Sequence, residues 1–202
     1  TVRRGLRLCE LRTEGRVDAH HLAGRAHLRA ERRVNARTVR AAEAVAVYDT
    51  IINAGSTFGL AHAGYHALFS CRTECGYRHF GHDVGPHDTP LEAGLGFAVD
   101  FDKPGGFIGR QALEQVRDRP RTKRLLQFRL EDQDLLLYHD EPIYRDGVMV
   151  GRTTSGMYGH TVGAPLEMGY VTAPETIDQQ LVDGSVWEIE VAARRIAARA
   201  SI

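Results

Sequence analysis

Residues 72–95 read RTECGYRHFGHDVGPHDTPLEAGL. Five imidazole or carboxylate side chains fall inside ten residues of this stretch: His79, His82, Asp83, His87 and Asp88. Such a density suggests a metal site or a proton-transfer site. The spacing argues against a metal, because it lacks the i, i+4 pairing of helical zinc sites and because Gly81, Gly85 and Pro86 interrupt any regular element. We therefore predict a turn-rich segment without a bound metal.

Helical patterns lie on both sides of this segment. AAEAVAVYDTIINAG (41–55) predicts one helix, and a second is expected over about residues 61–75. GFAVDF (96–101) predicts a strand, and GRQALEQVR (109–117) predicts a short helix. The first part of the ordered chain is thus expected to mix helices with a little β-structure.

The pattern changes to short strands and turn signals from residue 123 onward. RLLQFRL (124–130) predicts a strand, and PIYRDGVMVGRTTSG (142–156) predicts a hairpin that turns at Asp146-Gly147. VWEIEV (186–191) alternates apolar and acidic residues, which predicts that its tryptophan lies in the core. Strands of this length are typical of a small antiparallel barrel or sandwich.

The N-terminal segment has a different composition. Residues 1–40 hold eleven arginines and four acidic residues, a net charge of +7, whereas the whole 202-residue chain is neutral. A basic arm for nucleic acid usually also contains lysine and aromatic residues, and this segment has none, so we expect no nucleic-acid partner. Its lack of periodicity predicts an aberrant or poorly ordered segment.

The remaining composition is that of an ordinary globular protein, with 43% hydrophobic and 26% charged residues. No apolar run approaches the roughly 20 residues of a membrane span, so we expect no membrane partner. Three cysteines fit a reducing compartment. GGFIGR (105–110) lacks the spacing of a dinucleotide loop, and neither Ser70 nor Ser155 lies in a G-x-S-x-G motif, so no catalytic residue is assigned.

Several short motifs follow one another in order. They are R-x-E-x-G (72–76), aromatic-Gly-x-Asp (80–83), TPLEAGL (89–95), FIGRQAL (107–113), VGRTTSG (150–156) and LEMGYV (166–171). Over about residues 44–202 this pattern resembles the folate-binding aminomethyltransferase family, the glycine-cleavage T-protein fold. It is most similar to the version fused C-terminally to FAD-dependent dimethylglycine and sarcosine dehydrogenases.

The resemblance implies an α+β fold. A partial T-protein-like α/β folate-binding domain (41–118) would be followed by a small antiparallel β-barrel (122–202). It also implies that the chain lacks the family's catalytic aspartate, which belongs to the preceding half of the domain. The family's acidic glycine-rich strand, expected just before residue 41, is absent from residues 1–40, which motivates the hypothesis that those residues derive from a shifted reading frame or a misjoined gene.

The implied function is the C-terminal folate-binding portion of a flavin-dependent N-methyl amino acid dehydrogenase that passes a one-carbon unit to tetrahydrofolate. The implied cofactors are tetrahydrofolate and, in a missing N-terminal flavin domain of the same protein, FAD. The expected partners are therefore folate, a small one-carbon donor and that flavin domain. The expected compartment is the bacterial cytoplasm or, in a eukaryote, the mitochondrial matrix.

The resemblance also implies site residues. Phe80 occupies the position of an aromatic residue that lies against folate, and Tyr77, Arg72, Glu92 and His82 are expected around the same ligand. Arg72 is expected to brace the helix and loop rather than to react. The fragment alone is expected to be inactive. The alternative is a non-catalytic T-protein-like regulatory or scaffold subunit, a class that the family also includes.

Overall fold

The structure is a computed structural model and describes residues 39–202. The described residues form two compact units, 39–65 and 66–202. The predictions for the Arg-rich N-terminal segment fall on residues 1–38, which lie outside the described part. The domain division predicted near residues 118–122 stays a prediction.

The first unit contains a helix that was predicted from its periodicity. A 3-10 turn, Ala41–Glu43, leads into α1, Ala44–Ser56. The segment after α1 folds back on it, because the Tyr48 hydroxyl lies 3.2 Å from Nε2 of His62 and the two rings stack at 5.9 Å. This contact fixes the turn that ends the helix.

Helix α2, Tyr65–Glu74, begins at the last residue of the first unit and continues into the second, which later carries α3, Arg110–Arg117. The start predicted for α2 was wrong by four residues, because residues 61–64 precede the helix as coil and include a glycine, which costs backbone entropy in a helix. None of the helices within residues 39–202 combines the length and the apolar character that crossing a membrane requires.

The strand predicted at residues 96–101 was also wrong. The segment forms a 3-10 turn, Gly96–Ala98, and leaves the Phe97 side chain 87% exposed. Phe101 instead packs edge-on against Phe107, with ring centroids 6.2 Å apart. The barrel that follows is closed and offers no free edge, so no strand among residues 39–202 is left for this segment to pair with.

The rest of the unit is a closed antiparallel barrel with strand order β1-β4-β3-β2-β5-β6. The strands are β1 Lys123–Leu130, β2 Pro142–Arg145, β3 Val148–Gly159, β4 Ala164–Thr172, β5 Trp187–Val191 and β6 Arg194–Ser201. A short helix, α4 (Gln179–Gly184), precedes β5. The predicted α+β fold with a C-terminal antiparallel barrel is confirmed.

Local sequence signals explain the barrel. Asp146 and Gly147 take φ values of 51° and 80°, as the two-residue turn between β2 and β3 requires. In β5, Trp187, Ile189 and Val191 are buried while the glutamates between them are half-exposed, as alternation predicts. The Trp187 ring packs edge-on against Phe128 at 5.7 Å inside the barrel.

Candidate functional site

The site begins with a buried arginine near the end of α2. The Arg72 guanidinium donates to a carboxylate oxygen of Asp83 at 2.8 Å and to the hydroxyl of Ser155 at 2.7 Å. It also donates to the carbonyl of Tyr77 at 3.0 Å and lies 4.6 Å from the centre of the Phe69 ring. Arg72 therefore ties the helix to the following turn and to the barrel.

Asp83 is the centre of this network and is fully buried. Besides Arg72, its carboxylate accepts the backbone amide of His79 at 2.8 Å and the hydroxyl of Thr154. Thr154 and Ser155 are neighbours on β3, so one carboxylate and one guanidinium join residues 72–83 to the same barrel strand. A buried ion pair is tolerated only when hydrogen bonds of this kind complete it.

Phe80 lies on the turn that this network holds. Its ring is 76% exposed, while the backbone around it forms a bridge from Phe80 to Val84 and a 2.9 Å hydrogen bond from the Gly81 amide to the Val84 carbonyl. Gly81 has a φ of 95°, a conformation that side chains disfavour. A fixed backbone thus presents an exposed aromatic face.

Tyr77 and His82 belong to the same turn. The Tyr77 side chain is 62% exposed, and its carbonyl is the acceptor for Arg72. The His82 ring is exposed and lies 4.8 Å from the His79 ring and 6.4 Å from the His139 ring. Within residues 39–202, no three histidine, cysteine or carboxylate side chains are placed to hold a metal ion.

Glu92 lies in a second turn and closes a capping box. Its carboxylate accepts the backbone amide and the hydroxyl of Thr89, at 2.8 Å and 2.9 Å. Its own amide donates to the Thr89 hydroxyl at 3.2 Å, and its carbonyl accepts the Leu125 amide of β1 at 2.9 Å. The TPLEAGL motif therefore shapes and docks this turn, and the structure gives Glu92 bonds to Thr89 rather than to the Phe80 turn.

A half-buried arginine, Arg78, connects the two turns. It donates to the carbonyls of Gly76 and Ala93, and burial lowers its pKa. Gly94 has a φ of 70°, and a Cβ there would lie 2.8 Å from the Arg78 guanidinium. The glycine of TPLEAGL thus makes room for this side chain.

A lysine from the barrel completes the second turn. The Lys123 ammonium lies 2.7 Å from Asp88 and 4.6 Å from the centre of the Tyr170 ring. Burial raises the pKa of the Tyr170 hydroxyl, and the Asp88 charge adds to this effect.

The sequence did not predict the structural roles of Asp83, Arg78 and Lys123. The signal for the buried pair was present, because Arg72 opens the motif R-x-E-x-G and Asp83 ends the motif aromatic-Gly-x-Asp.

Comparison with known proteins fits this arrangement. Residues 38–103 match the model of the GCVT N-terminal domain, and residues 123–201 match that of the Glycine cleavage T-protein C-terminal barrel domain. The chain belongs to the glycine-cleavage T-protein family. A solved T-protein-family structure, the glycine cleavage system aminomethyltransferase T from Bartonella henselae, aligns with a TM-score of 0.57 at 24% identity, over 67% of this chain and 37% of that one, and supports the fold.

Three relatives are similar in sequence to more than half of this chain. The 4-methylaminobutanoate oxidase (formaldehyde-forming) of Paenarthrobacter nicotinovorans is 51% identical over 59% of this chain. The mitochondrial sarcosine dehydrogenase of Homo sapiens is 39% identical over 66%, and the mitochondrial pyruvate dehydrogenase phosphatase regulatory subunit of Mus musculus is 34% identical over 79%. The matched regions span 15%, 14% and 19% of the lengths of these relatives, respectively.

Proposed function

We propose that this chain is the C-terminal folate-binding portion of a flavin-dependent N-methyl amino acid dehydrogenase, of the dimethylglycine or sarcosine type, which passes a one-carbon unit to tetrahydrofolate. The observation that carries the proposal is the exposed Phe80 ring on a turn held by the buried Arg72–Asp83 pair. The relatives named as a sarcosine dehydrogenase and a 4-methylaminobutanoate oxidase support the substrate class.

The residues present fit a folate. An exposed aromatic face stacks on a flat pterin or benzoyl ring, and Phe80 offers one. Tyr77 and His82 lie on the same turn and would line the ligand beside it. Arg72 and Glu92 would act by shaping the two turns, because their polar atoms already bond to Asp83 and Thr89. Tetrahydrofolate supplies the amine nitrogen that takes up the one-carbon unit.

The role of these residues is binding and containment. A reactive one-carbon electrophile has to meet its acceptor before water does, and a rigid wall that positions the acceptor favours this outcome. We assign FAD and the proton-transfer chemistry to a flavin domain and an upstream half-domain of the same protein. We place the protein in the bacterial cytoplasm or the mitochondrial matrix, where such one-carbon chemistry takes place.

Titration calorimetry of the chain with folinic acid, a stable reduced folate, tests the proposal. We expect saturable binding that Phe80→Ala weakens by roughly two- to tenfold, the value of one aromatic contact. Phe97→Ala is the matched control, because Phe97 is also a phenylalanine in a turn and is 87% exposed. Absence of saturable binding, or an equal loss in both variants, would contradict the proposal.

A second candidate is a non-catalytic regulatory or scaffold subunit. It is favoured by the similarity to the phosphatase regulatory subunit, which extends over 79% of this chain. The two candidates differ when the chain is joined to its upstream sequence. Folate-dependent turnover of an N-methyl amine by that longer protein supports the dehydrogenase, whereas folate binding without turnover supports the regulatory subunit.

A further inference from the structure

A carboxylic acid lies inside the barrel, where the folate proposal gives it no role. Glu167 of β4 is fully buried and stands opposite Phe128 of β1 and Gly156 of β3 in the strand register. Neither of its carboxyl oxygens has a hydrogen-bond partner among the described residues. An unpaired buried carboxylate of this kind is strongly disfavoured, so its protonation state has structural consequences.

The Glu167 carboxyl group and the loop between β1 and β2 both border the space beside Gly156. A Cβ built on Gly156 would lie 3.2 Å from Oε1 of Glu167, 3.0 Å from the Tyr138 carbonyl and 2.7 Å from Cβ of Leu137. Leu137 and Tyr138 belong to the segment 131–141, which joins β1 to β2. The absent side chain at Gly156 thus lets the Glu167 carboxyl and this segment share one space.

The segment ends in a second glutamate, which fastens it to the barrel. The Glu141 carboxylate accepts the Tyr138 amide at 3.0 Å and the Thr153 hydroxyl at 2.8 Å. The backbones of Glu141 and Thr153 are also bonded, at 2.9 Å from the Thr153 amide to the Glu141 carbonyl. Glu141 therefore holds the end of the segment against β3.

The two carboxyl groups are electrostatically linked. Burial raises the pKa of Glu167 to about 9, and the Glu141 charge acts in the same direction. The strand neighbours Phe128 and Gly156 carry no charge that would offset this effect. A fully buried carboxyl group without a hydrogen-bond partner favours its protonated form.

We propose that Glu167 holds a proton while it is buried, and that this proton keeps the segment 131–141 latched onto the barrel. The proton comes from solvent and returns to it, so no other reactant is needed. With the proton bound, the Glu167 carboxyl is neutral and stays buried beside Leu137 and Tyr138 of the segment. Once the proton leaves, the repulsion between the two carboxylates and the cost of a buried charge both favour release of the segment.

Release of the segment would change the surroundings of the turn that carries Phe80. His139 lies in the segment, its Nδ1 is 2.8 Å from Asp140, and its ring lies 6.4 Å from the His82 ring. Opening would therefore remove a neighbour of His82 and change the surface next to the candidate ligand site. The latch itself stands on the barrel geometry and does not depend on which ligand the chain binds.

Hydrogen exchange as a function of pH tests the latch. The reporters are the amides of Tyr138, Asp140 and Thr153, which are bonded when the segment is closed. After correction for intrinsic exchange rates, we expect their opening constant to rise by up to about tenfold per pH unit between roughly pH 6 and 8 and to level off above roughly pH 9. Glu167→Gln keeps the shape but carries no titrating proton, so its opening constant should be independent of pH.

Matched controls make the result decisive. Glu188→Gln changes a half-exposed glutamate on β5, and its reporters should follow the wild-type curve. Glu141→Gln keeps an acceptor oxygen for Thr153 but removes the repelling charge, so its opening constant should rise with the wild-type slope and level off at a lower pH than that of the wild type. A flat wild-type curve, or a wild-type slope retained in Glu167→Gln, overturns the proposal.

A spectroscopic readout covers the case in which Glu167→Gln fails to fold. Infrared difference spectra of the wild type at neutral pH should contain the C=O stretch of a buried protonated carboxyl group, and this band should disappear on titration toward pH values above the pKa of Glu167. Absence of such a band at neutral pH would show that Glu167 is ionised and would refute the latch.

Discussion

The Arg72 guanidinium lies 2.8 Å from the Asp83 carboxylate, and both side chains are almost wholly removed from solvent. Arg72 comes from a helix and Asp83 from a turn, yet each also bonds to the same barrel strand, Arg72 to Ser155 and Asp83 to Thr154. The pair is therefore the joint between the helical part of the unit and the barrel, and Phe80 lies on the turn that this joint holds.

Breaking the joint should destabilise the protein. Asp83→Ala leaves the Arg72 charge buried without its partner, and we expect a loss of about 3–5 kcal/mol in the free energy of unfolding. Urea denaturation followed through Trp187 fluorescence measures this loss.

A surface pair of the same length provides the control for Asp83→Ala. Arg110 and Glu114 lie 2.7 Å apart on α3, but their side chains are 39% and 44% exposed. Glu114→Ala should therefore leave the unfolding curve nearly unchanged. Equal effects of the two substitutions would show that burial of the Arg72–Asp83 pair does not matter.

The barrel was predictable from sequence because its signals are local. Alternation in β5 and the Asp146-Gly147 turn each determine a structure within a few residues, and the barrel confirms both. The segment 96–101 misled the prediction because its apolar residues suggest a strand, whereas Phe97 is exposed and Phe101 packs on Phe107. A strand also needs a neighbouring strand to pair with, and the residues within one segment do not show whether such a neighbour exists.

The candidate site was predictable only in part. Its motifs located Phe80 and Arg72, but Thr154 and Ser155 lie 71 and 83 residues away from their partners Asp83 and Arg72. Periodicity does not report such long-range bonds. Glu167 illustrates the same limit, because nothing within β4 itself reveals that Gly156 and the loop residues Leu137 and Tyr138 lie beside its carboxyl group.

The Lys123–Asp88 contact should be visible in acid titration. Burial alone would raise the pKa of Asp88, but the Lys123 ammonium and the Gly85 amide outweigh it, so the pKa of Asp88 lies below its ordinary value. Such a group stabilises the fold above its unfolded pKa, and the contribution is lost as pH falls through the lower folded value. Carbon NMR titration of Lys123→Met should show the pKa of Asp88 moving upward. An unchanged Asp88 titration would mean that the ammonium does not act on this carboxylate.

Glu167 should give the opposite dependence on pH. Its folded pKa is about 9 against an ordinary value of 4.5, so its contribution to stability is complete below the lower value and is lost as pH rises toward the higher one. Between these limits the loss approaches about 1.4 kcal/mol per pH unit. Glu167→Gln should remove this slope and be more stable than the wild type at pH 8, as urea denaturation at several pH values will show. Parallel stability curves for the two proteins would contradict the assignment.

Close packing of β3 against β4 makes Gly169 sensitive to any side chain. A Cβ there would lie 2.5 Å from the Arg152 carbonyl, 2.7 Å from Cδ1 of Ile143 and 2.8 Å from Cα of Thr153. Two of these three neighbours are backbone atoms of β3, so the clash cannot be relieved by a change of rotamer. We expect Gly169→Ala to lower the free energy of unfolding by about 1–3 kcal/mol or more.

Gly184→Ala is the control, because nothing lies within 4 Å of its Cβ position at the end of α4, and it should be neutral or slightly stabilising. Thermal unfolding of both variants measures the difference, and a Gly169→Ala protein as stable as Gly184→Ala would show that the two strands separate more readily than this geometry requires.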